Sequence, residues 1–186
     1  MWTTHESILD AEMCEALIAE GESRGFEPAS VTTAMGFAMM PELRNNDRVI
    51  FDDPELAAQL WPLLPQWSDP LEPLEVGWRP VGLNERFRLY RYTRGQKFDW
   101  HADGAFRRNR LERSRQTVLI YLNEGCEGGA TEIRTGPRYQ RREVVSVEPR
   151  CGRVLRFAHQ LIHRGAPVRE GIKYVLRTDV MYRRLS

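Results

Sequence analysis

The feature that most constrains the fold is a change in hydrophobic periodicity near Asn84. Beyond this residue, apolar and polar side chains alternate in short segments rich in β-branched and aromatic residues: RFRLYRY, QTVLIYLN, ATEIRT, REVVSVE, GRVLRFAH and KYVLRTDVMY. A period of two residues is the pattern of β-strands, and Gly, Pro, Asn and charged residues separate these segments as turns do. Six or more short strands with turns between them predict an antiparallel sandwich or a double-stranded β-helix (jelly-roll) barrel.

The N-terminal part of the chain follows a helical period instead. Ser7 followed by Asp10 indicates the start of a helix, whose apolar stripe at helical spacing ends near Gly25. Asp53 and Pro54 open a second short helix. We therefore predict a mainly β protein with N-terminal helices, in which a helical support region over residues 1–83 packs on a barrel core over residues 84–186. A proline-rich connector precedes the strands and contains Pro65, Pro70, Pro73 and Pro80.

Composition excludes several classes of function. Hydrophobic residues make up 41% and charged residues 28% of the 186 residues, and the formal net charge is +1. No apolar run approaches the ~20 residues that a membrane-spanning helix needs, and the first residues lack the pattern of a signal peptide. We expect a cytoplasmic protein that binds neither membrane nor nucleic acid. Its three separated cysteines are expected to be reduced packing residues.

A candidate metal site lies in the stretch FDWHADG, which contains His101 and Asp103. Residues i and i+2 of a strand point to the same face, so these side chains can bind one metal. A third ligand should come from another strand, and His159 and His163 are the candidates. Two histidines and one carboxylate leave open coordination positions, as in non-haem Fe(II) oxygenases. Zinc hydrolases use the same donors, but usually on a helix, as in HExxH, which is absent from this sequence.

Two basic residues follow His159 and His163 in the sequence. Lys173 lies ten residues beyond His163, and Arg177 shares its strand parity four residues later. A cation that faces the inside of a barrel is costly unless it meets an anion. A dicarboxylate cosubstrate would supply that anion, because its oxo-acid end can chelate iron while its far carboxylate reaches the cation.

Several ordered motifs resemble the prolyl 4-hydroxylase-like family of Fe(II)- and 2-oxoglutarate-dependent oxygenases. The stretches that carry the resemblance lie between about Asn84 and Tyr182 and read YTRGQKFDWHADG, TVLIYLNEGCEGGATEI and HRGAPVREGIK. The resemblance implies that iron is bound by His101, Asp103 and His163. It also implies cofactors, namely Fe(II), 2-oxoglutarate and O2, with ascorbate as an accessory reductant.

The same resemblance assigns the cosubstrate pocket. Lys173 would pair with the distal carboxylate of 2-oxoglutarate, and Tyr92 and Tyr121 fall where the family places tyrosines on the cosubstrate. Thr131 is expected to line the same pocket. Arg177 could itself contact the carboxylate, or form an internal ion pair with Asp179 or Glu132. His159 has no ligand role in the family and is expected to be structural or to form a pocket wall.

The substrate is less well defined by the sequence. Arg44, Asn46 and Arg48 lie in ELRNNDRVIFDD, upstream of the barrel, and are candidates to bind a substrate carboxylate or backbone; the alternative is a loop with solvated charges. The resemblance implies hydroxylation of an unactivated C–H bond, with release of succinate and CO2. The substrate would be a peptidyl, prolyl-like residue or an amino-acid-like small molecule.

Two other functions remain open at this point. One is a non-catalytic metal-binding barrel that acts as a sensor or interaction module, which would not need a cosubstrate cation. The other is a zinc or nickel hydrolase or isomerase on the same barrel, which would leave Lys173 and Tyr121 without a role.

Overall fold

The computed structural model describes residues 2–33, 36–64, 77–136 and 143–185. These ranges contain two α-helices, α1 (Ala11–Arg24) and α2 (Pro54–Leu60), and a 3-10 turn over Trp61–Leu63. The strands are β1 (Trp2–His5), β2 (Glu27–Pro28), β3 (Val31–Thr33), β4 (Gly36–Ala38), β5 (Asp47–Asp52), β6 (Trp78–Leu83), β7 (Arg86–Tyr92), β8 (Phe98–His101), β9 (Glu112–Tyr121), β10 (Glu127–Gly128), β11 (Thr131–Thr135), β12 (Glu143–Val147), β13 (Val154–Ala158), β14 (His163–Gly165), β15 (Val168–Glu170) and β16 (Lys173–Arg184).

Two antiparallel sheets face each other, which confirms the predicted jelly roll. The main sheet has eight strands in the order β1-β13-β9-β16-β7-β5-β2, with β6 paired to β16. The smaller sheet has the order β12-β11-β14-β8. Each of the six segments predicted as strands forms one, because their period-two pattern matches a sheet that is buried on at least one face.

The central strands of the main sheet are buried on both faces. Along β9, Val118 and Ile120 pack on the helical side, whereas Leu119 and Tyr121 pack between the two sheets. The same alternation on β16 places Val175 between the sheets and Leu176 on the helical side. Double burial explains why these strands read as nearly continuous apolar runs.

Both predicted helices are present and cover the outer face of the main sheet. Asp10 caps α1 by accepting a hydrogen bond from the backbone N–H of Met13 at 2.8 Å, and Asp53 caps α2 in the same way. Cys14 of α1 and Leu60 of α2 are fully buried in the core on this side. No helix in the described ranges has the length and apolar character needed to cross a membrane.

The region before residue 84 holds more β-structure than its helical period predicted. β1, β2, β5 and β6 all join the main sheet, and β5 pairs with β7 over six residues from Asp47 to Asp52. Strands of two to six residues span too few periods to be recognised against neighbouring helices. Pro80 lies within β6 rather than in a connector, whereas Pro65, Pro70 and Pro73 lie outside the described residues.

A tight turn before β13 anchors the segment that leads into α1. The carbonyl of Gly152 accepts a hydrogen bond from the backbone N–H of Ile8 at 2.9 Å. Gly152 has φ +73°, and a Cβ atom there would lie only 2.0 Å from the carbonyl oxygen of Leu9. Only glycine fits this approach without moving one of the two backbones.

We expect Gly152→Ala to lower the free energy of unfolding by about 3 kcal/mol, from left-handed strain plus the displaced backbone. Gly125→Ala is the matched control, because Gly125 has φ +85° but an added Cβ would meet nothing within 4 Å. The control should lose only about 1 kcal/mol. Urea denaturation measures both, and equal losses would show that the turn does not hold the N-terminal segment.

Candidate metal centre

Two histidines meet across neighbouring strands of the smaller sheet. His101 at the end of β8 is the register partner of His163 at the start of β14, and their ring centroids lie 4.3 Å apart. Asp103 follows β8, and its two carboxylate oxygens each lie 3.7 Å from an Nε2 atom, Oδ1 from His101 and Oδ2 from His163. One donor atom from each residue lies within 4.8 Å of the others, a grouping that could hold a metal ion.

Backbone carbonyls orient both imidazole rings. His101 Nδ1 lies 2.7 Å from the carbonyl oxygen of Asp99, and His163 Nδ1 lies 3.0 Å from that of Leu161. A carbonyl can only accept, so Nδ1 carries the hydrogen and the Nε2 lone pair is directed at the triad. Phe98 stacks on His101 with centroids 3.5 Å apart, which further restricts the ring.

The electrostatics of the triad favour the forms that bind metals. Burial, and after it the neighbouring His163, lowers the pKa of His101 to about 3. Burial also lowers the pKa of His163. Burial alone would raise the pKa of Asp103, but Arg177 and then the two histidines hold it well below the usual range. At neutral pH the site therefore presents two neutral imidazoles and one carboxylate.

The Asp103 carboxylate is held by a hydrogen-bonded chain. The hydroxyl of Thr117 donates to Oδ2 of Asp103 at 2.6 Å. His159 Nδ1 lies 3.0 Å from the same hydroxyl, and His159 Nε2 lies 2.9 Å from Ser114 Oγ. Because the Thr117 proton goes to the carboxylate, His159 donates from Nδ1 and accepts from Ser114. His159 thus helps to orient the Thr117 hydroxyl and, through it, the Asp103 carboxylate of the triad.

Arg177 is engaged by carboxylates of the protein. Its Nη1 lies 2.7 Å from Asp103 Oδ1, and its Nη2 lies 3.4 Å from Asp179 Oδ1. Glu132, the other partner considered, instead forms an ion pair with Arg164 at 2.8 Å. Of the roles predicted for Arg177, the structure displays the internal pair with Asp179, and it adds a contact with Asp103 that the sequence did not indicate.

One cavity, the inner cavity, opens beside the triad and is also lined by Tyr92, Thr131 and Lys173. The Lys173 side chain is buried, and its Nζ donates to the carbonyl oxygen of Gly129 at 2.5 Å. Within the described residues, no carboxylate lies at ion-pair distance from it. Burial lowers the pKa of Lys173 to about 8, so at pH 7 it is a buried cation that forms no ion pair within the described part of the chain.

Tyrosines surround this cation. The Lys173 ammonium lies 5.1 Å from the ring centroid of Tyr92 and 5.5 Å from that of Tyr121. Burial raises the pKa of both phenols, so both hydroxyls remain donors. The Tyr121 hydroxyl donates to Thr131 Oγ1 at 2.7 Å, and it is Thr131 that lines the cavity. Tyr92 and Thr131 therefore border the cavity, and Tyr121 supports Thr131.

A second cavity of about 550 Å³, the outer cavity, also borders the triad and shares His101, Asp103 and Arg177 with the inner one. Arg44 and Arg48, both predicted as substrate residues, line it. The third predicted residue, Asn46, is fully buried and accepts a hydrogen bond from Arg44 Nε at 2.8 Å; it orients Arg44.

Four further residues of the site were missed by the sequence analysis. Tyr90 lines both cavities, and Arg88 lines the outer one. Both share strand parity with Tyr92 on β7, so the same argument that placed Lys173 and Arg177 on one face could have found them. Thr117 and Gly129 carry no comparable signal, because their roles depend on contacts with distant strands.

Comparison with known proteins adds to this geometry. Residues 87–178 match the 2OG-Fe(II) oxygenase superfamily. No curated protein matches the chain. Among solved structures, a prolyl-4-hydroxylase from Pseudomonas putida has a TM-score of 0.68 at 20% identity, with 100% of this chain and 93% of that chain covered.

Two more structures share the fold. A prolyl hydroxylase from Trichoplax adhaerens, in complex with a hypoxia inducible factor peptide fragment, has a TM-score of 0.70 at 17% identity over 96% of this chain and 82% of its own. The non-heme alpha-ketoglutarate-dependent epimerase SnoN from nogalamycin biosynthesis has a TM-score of 0.58 at 13% identity over 98% of this chain and 78% of its own. These structural similarities cover almost the whole chain, whereas the family match covers residues 87–178.

The buried Lys173 ammonium should destabilise the ligand-free protein. Its pKa is about 8 when folded and 10.5 in its ordinary state, so between these values the unfolded chain binds more protons and stability rises with pH. Below about pH 8 the folded protein carries the full cost of the buried charge. We expect Lys173→Met to raise the free energy of unfolding by about 1–3 kcal/mol at pH 7, a gain that shrinks toward pH 10.

Urea denaturation of the metal-free protein at both pH values measures this effect. Lys97→Met is the matched control, because Lys97 is partly exposed and paired with Asp99 at 3.1 Å; it should change stability by less than about 1 kcal/mol at either pH. A loss of stability in Lys173→Met that is equal at the two pH values would contradict the prediction.

Proposed function

Because the chain belongs to the 2OG-Fe(II) oxygenase superfamily and is a 2-oxoglutarate-dependent dioxygenase, we propose that His101, Asp103 and His163 hold its iron and that Lys173 holds the distal carboxylate of 2-oxoglutarate. The observation that carries this assignment is the buried Lys173 ammonium, which has no carboxylate partner within the described residues and lies in a cavity that reaches the triad. When bound, iron and 2-oxoglutarate supply the oxidation: O2 converts the cosubstrate to succinate and CO2 and hydroxylates a C–H bond of the substrate.

The residues present fit these cofactors by their donor chemistry. Two neutral imidazoles and one carboxylate match the facial set of non-haem iron sites, which leaves positions for a chelating cosubstrate. A compact ammonium forms a strong charge-assisted hydrogen bond to a carboxylate. The inner cavity connects these groups, because the triad residues and Lys173 line it together.

The substrate is proposed to be a peptidyl, prolyl-like residue or an amino-acid-like small molecule. Among structures with this fold, the Trichoplax prolyl hydroxylase contains a peptide fragment, whereas SnoN belongs to nogalamycin biosynthesis. The fold is therefore compatible with either class of substrate. A non-catalytic sensor barrel is not favoured, because it would keep Lys173 buried at a cost to stability without a ligand. A cytoplasmic location and a requirement for ascorbate stay predictions.

Anaerobic addition of Fe(II) and 2-oxoglutarate should give the weak visible charge-transfer band of a chelated cosubstrate. We expect His101→Ala to abolish the band, because it removes a ligand. Lys173→Met should retain it but require at least about tenfold more 2-oxoglutarate, since one charge-assisted hydrogen bond is lost. His5→Ala, on edge strand β1, is the control and should match the wild type. A wild-type protein that binds iron without this band would contradict the proposal.

The hydrogen bond from Thr117 should affect metal binding. We expect Thr117→Val to weaken Co(II) affinity about tenfold, because Asp103 then loses the donor that orients it. Titration of the visible Co(II) bands measures this affinity. Thr178→Val is the matched control: Thr178 is equally buried, and its hydroxyl donates to the carbonyl oxygen of Asn84 at 2.6 Å, away from the triad. Equal affinities in the two variants would show that Asp103 is oriented without Thr117.

A further inference from the structure

The outer cavity carries an excess of positive charge beside the candidate metal centre. Four arginines line it, Arg44, Arg48, Arg88 and Arg177, against two carboxylates, Asp103 and Asp179, which leaves two positive charges uncompensated. Arg177 already contacts both carboxylates, at 2.7 and 3.4 Å. Arg88 reaches Asp179 only at 3.9 Å. The excess therefore belongs to the other three arginines.

Arg44 is the most informative of them. It is 4% exposed, and its guanidinium lies 4.7 Å from the ring centroid of Tyr90 and 4.3 Å from that of Phe98. Its Nε donates to Asn46 at 2.8 Å, whereas its Nη2 is buried and has no hydrogen-bond partner among the described residues. A buried charged donor without an acceptor is costly. The rings of Tyr90 and Phe98 and the amide of Asn46 nevertheless hold the Arg44 guanidinium at the cavity wall.

Backbone contacts fix Arg44 relative to the metal centre. Arg44 forms an isolated β-bridge with Phe98, the first residue of β8. The N–H of Asp99 donates to the carbonyl oxygen of Leu43 at 2.7 Å. Since β8 ends at His101, the loop that carries the arginine is attached to the same strand as a triad histidine. An anion bound at Arg44 would thus be held at a set distance from the triad.

Arg48 adds a second donor on the same wall. Its Nη2 donates to Ser30 Oγ at 2.8 Å, and its Nη1 donates to the Ser30 carbonyl oxygen at 3.2 Å. Burial, with the like charges of Arg44 and Arg88, lowers the pKa of Arg48. Grouping like charges in a partly buried cavity is unfavourable unless an anion binds between them.

We propose that Arg44, Arg48 and Arg88 form an oxyanion subsite, so that the substrate of this enzyme bears a carboxylate or phosphate group in addition to the C–H bond that is oxidised. This inference rests on the proposed function and names the substrate class of the same site. The cosubstrate does not account for these arginines, because its distal carboxylate is assigned to Lys173 in the inner cavity. An uncharged peptide segment would leave the two excess positive charges of the outer cavity uncompensated, so the favoured substrates are compact anions.

Chloride NMR linewidth tests the subsite directly, because chloride exchanging with an arginine cluster broadens its resonance. The protein is loaded with Zn(II) and 2-oxoglutarate, so neither turnover nor oxygen is needed. We expect Arg44→Gln and Arg48→Gln each to remove at least half of the excess linewidth. Arg150→Gln, which removes the same charge at an exposed position, should leave it unchanged. Arg48 is less buried than Arg44, so its variant remains informative if Arg44→Gln does not fold.

Displacement of chloride by added anions then identifies the chemical group that the subsite binds. We expect N-acetylglycine or methyl phosphate to narrow the wild-type resonance to the level of Arg44→Gln, and the more effective of the two distinguishes a carboxylate from a phosphate. Neutral N-acetylglycinamide should have no effect. Variants that broaden chloride as much as the wild type, or a resonance that neither anion narrows, would overturn the subsite. Failure of the proposed function would be seen separately, as a missing charge-transfer band with iron.

Discussion

The Asp103 carboxylate is the contact on which the candidate site depends. It follows the last residue of β8 in the smaller sheet, yet its two oxygens are held by residues of the main sheet, Arg177 of β16 and Thr117 of β9. Burial by itself would favour the protonated acid, which cannot serve as an anionic ligand. The ion pair with Arg177 and the hydroxyl of Thr117 reverse that preference. The ionised state of Asp103, beside the smaller sheet, therefore depends on residues of the main sheet.

β16 organises both cavities because its side chains alternate between two environments. Leu176 and Val180 face the helical side and complete the apolar core there. Lys173, Arg177 and Asp179 fall on the opposite face, toward the smaller sheet. One strand thus supplies the cation of the inner cavity, the ion pair behind Asp103 and the carboxylate that Arg177 and Arg88 share. A shift of β16 by one residue would exchange these charges with the apolar core.

The site also shows where stability is given up for binding. Lys173 in the inner cavity and Arg44 in the outer cavity are both buried cations whose partners are incomplete within the described residues. Aromatic rings flank both of them, Tyr92 and Tyr121 around the lysine and Tyr90 and Phe98 around the arginine. Cation–π contact recovers part of the lost hydration while leaving the hydrogen-bond donors available to a ligand. The anions proposed for the two cavities would restore stability to the site on binding.

The sequence by itself determined the jelly-roll class, both helices, and the likeness that leads to the triad and Lys173. Of Ser7 and Asp10, which together indicated the start of α1, the structure uses Asp10 as the cap. These features follow from local patterns, since strand parity, helix capping and the spacing of His101 and Asp103 depend on residues close in the chain. It did not indicate the short strands before residue 84, the contact of Arg177 with Asp103, or the use of the Tyr121 hydroxyl on Thr131. Those were decided by tertiary structure, because the partner of a side chain depends on which distant strands are paired and in what register. The outer cavity is the clearest case: its arginines come from a loop and two strands that only the folded chain brings beside His101.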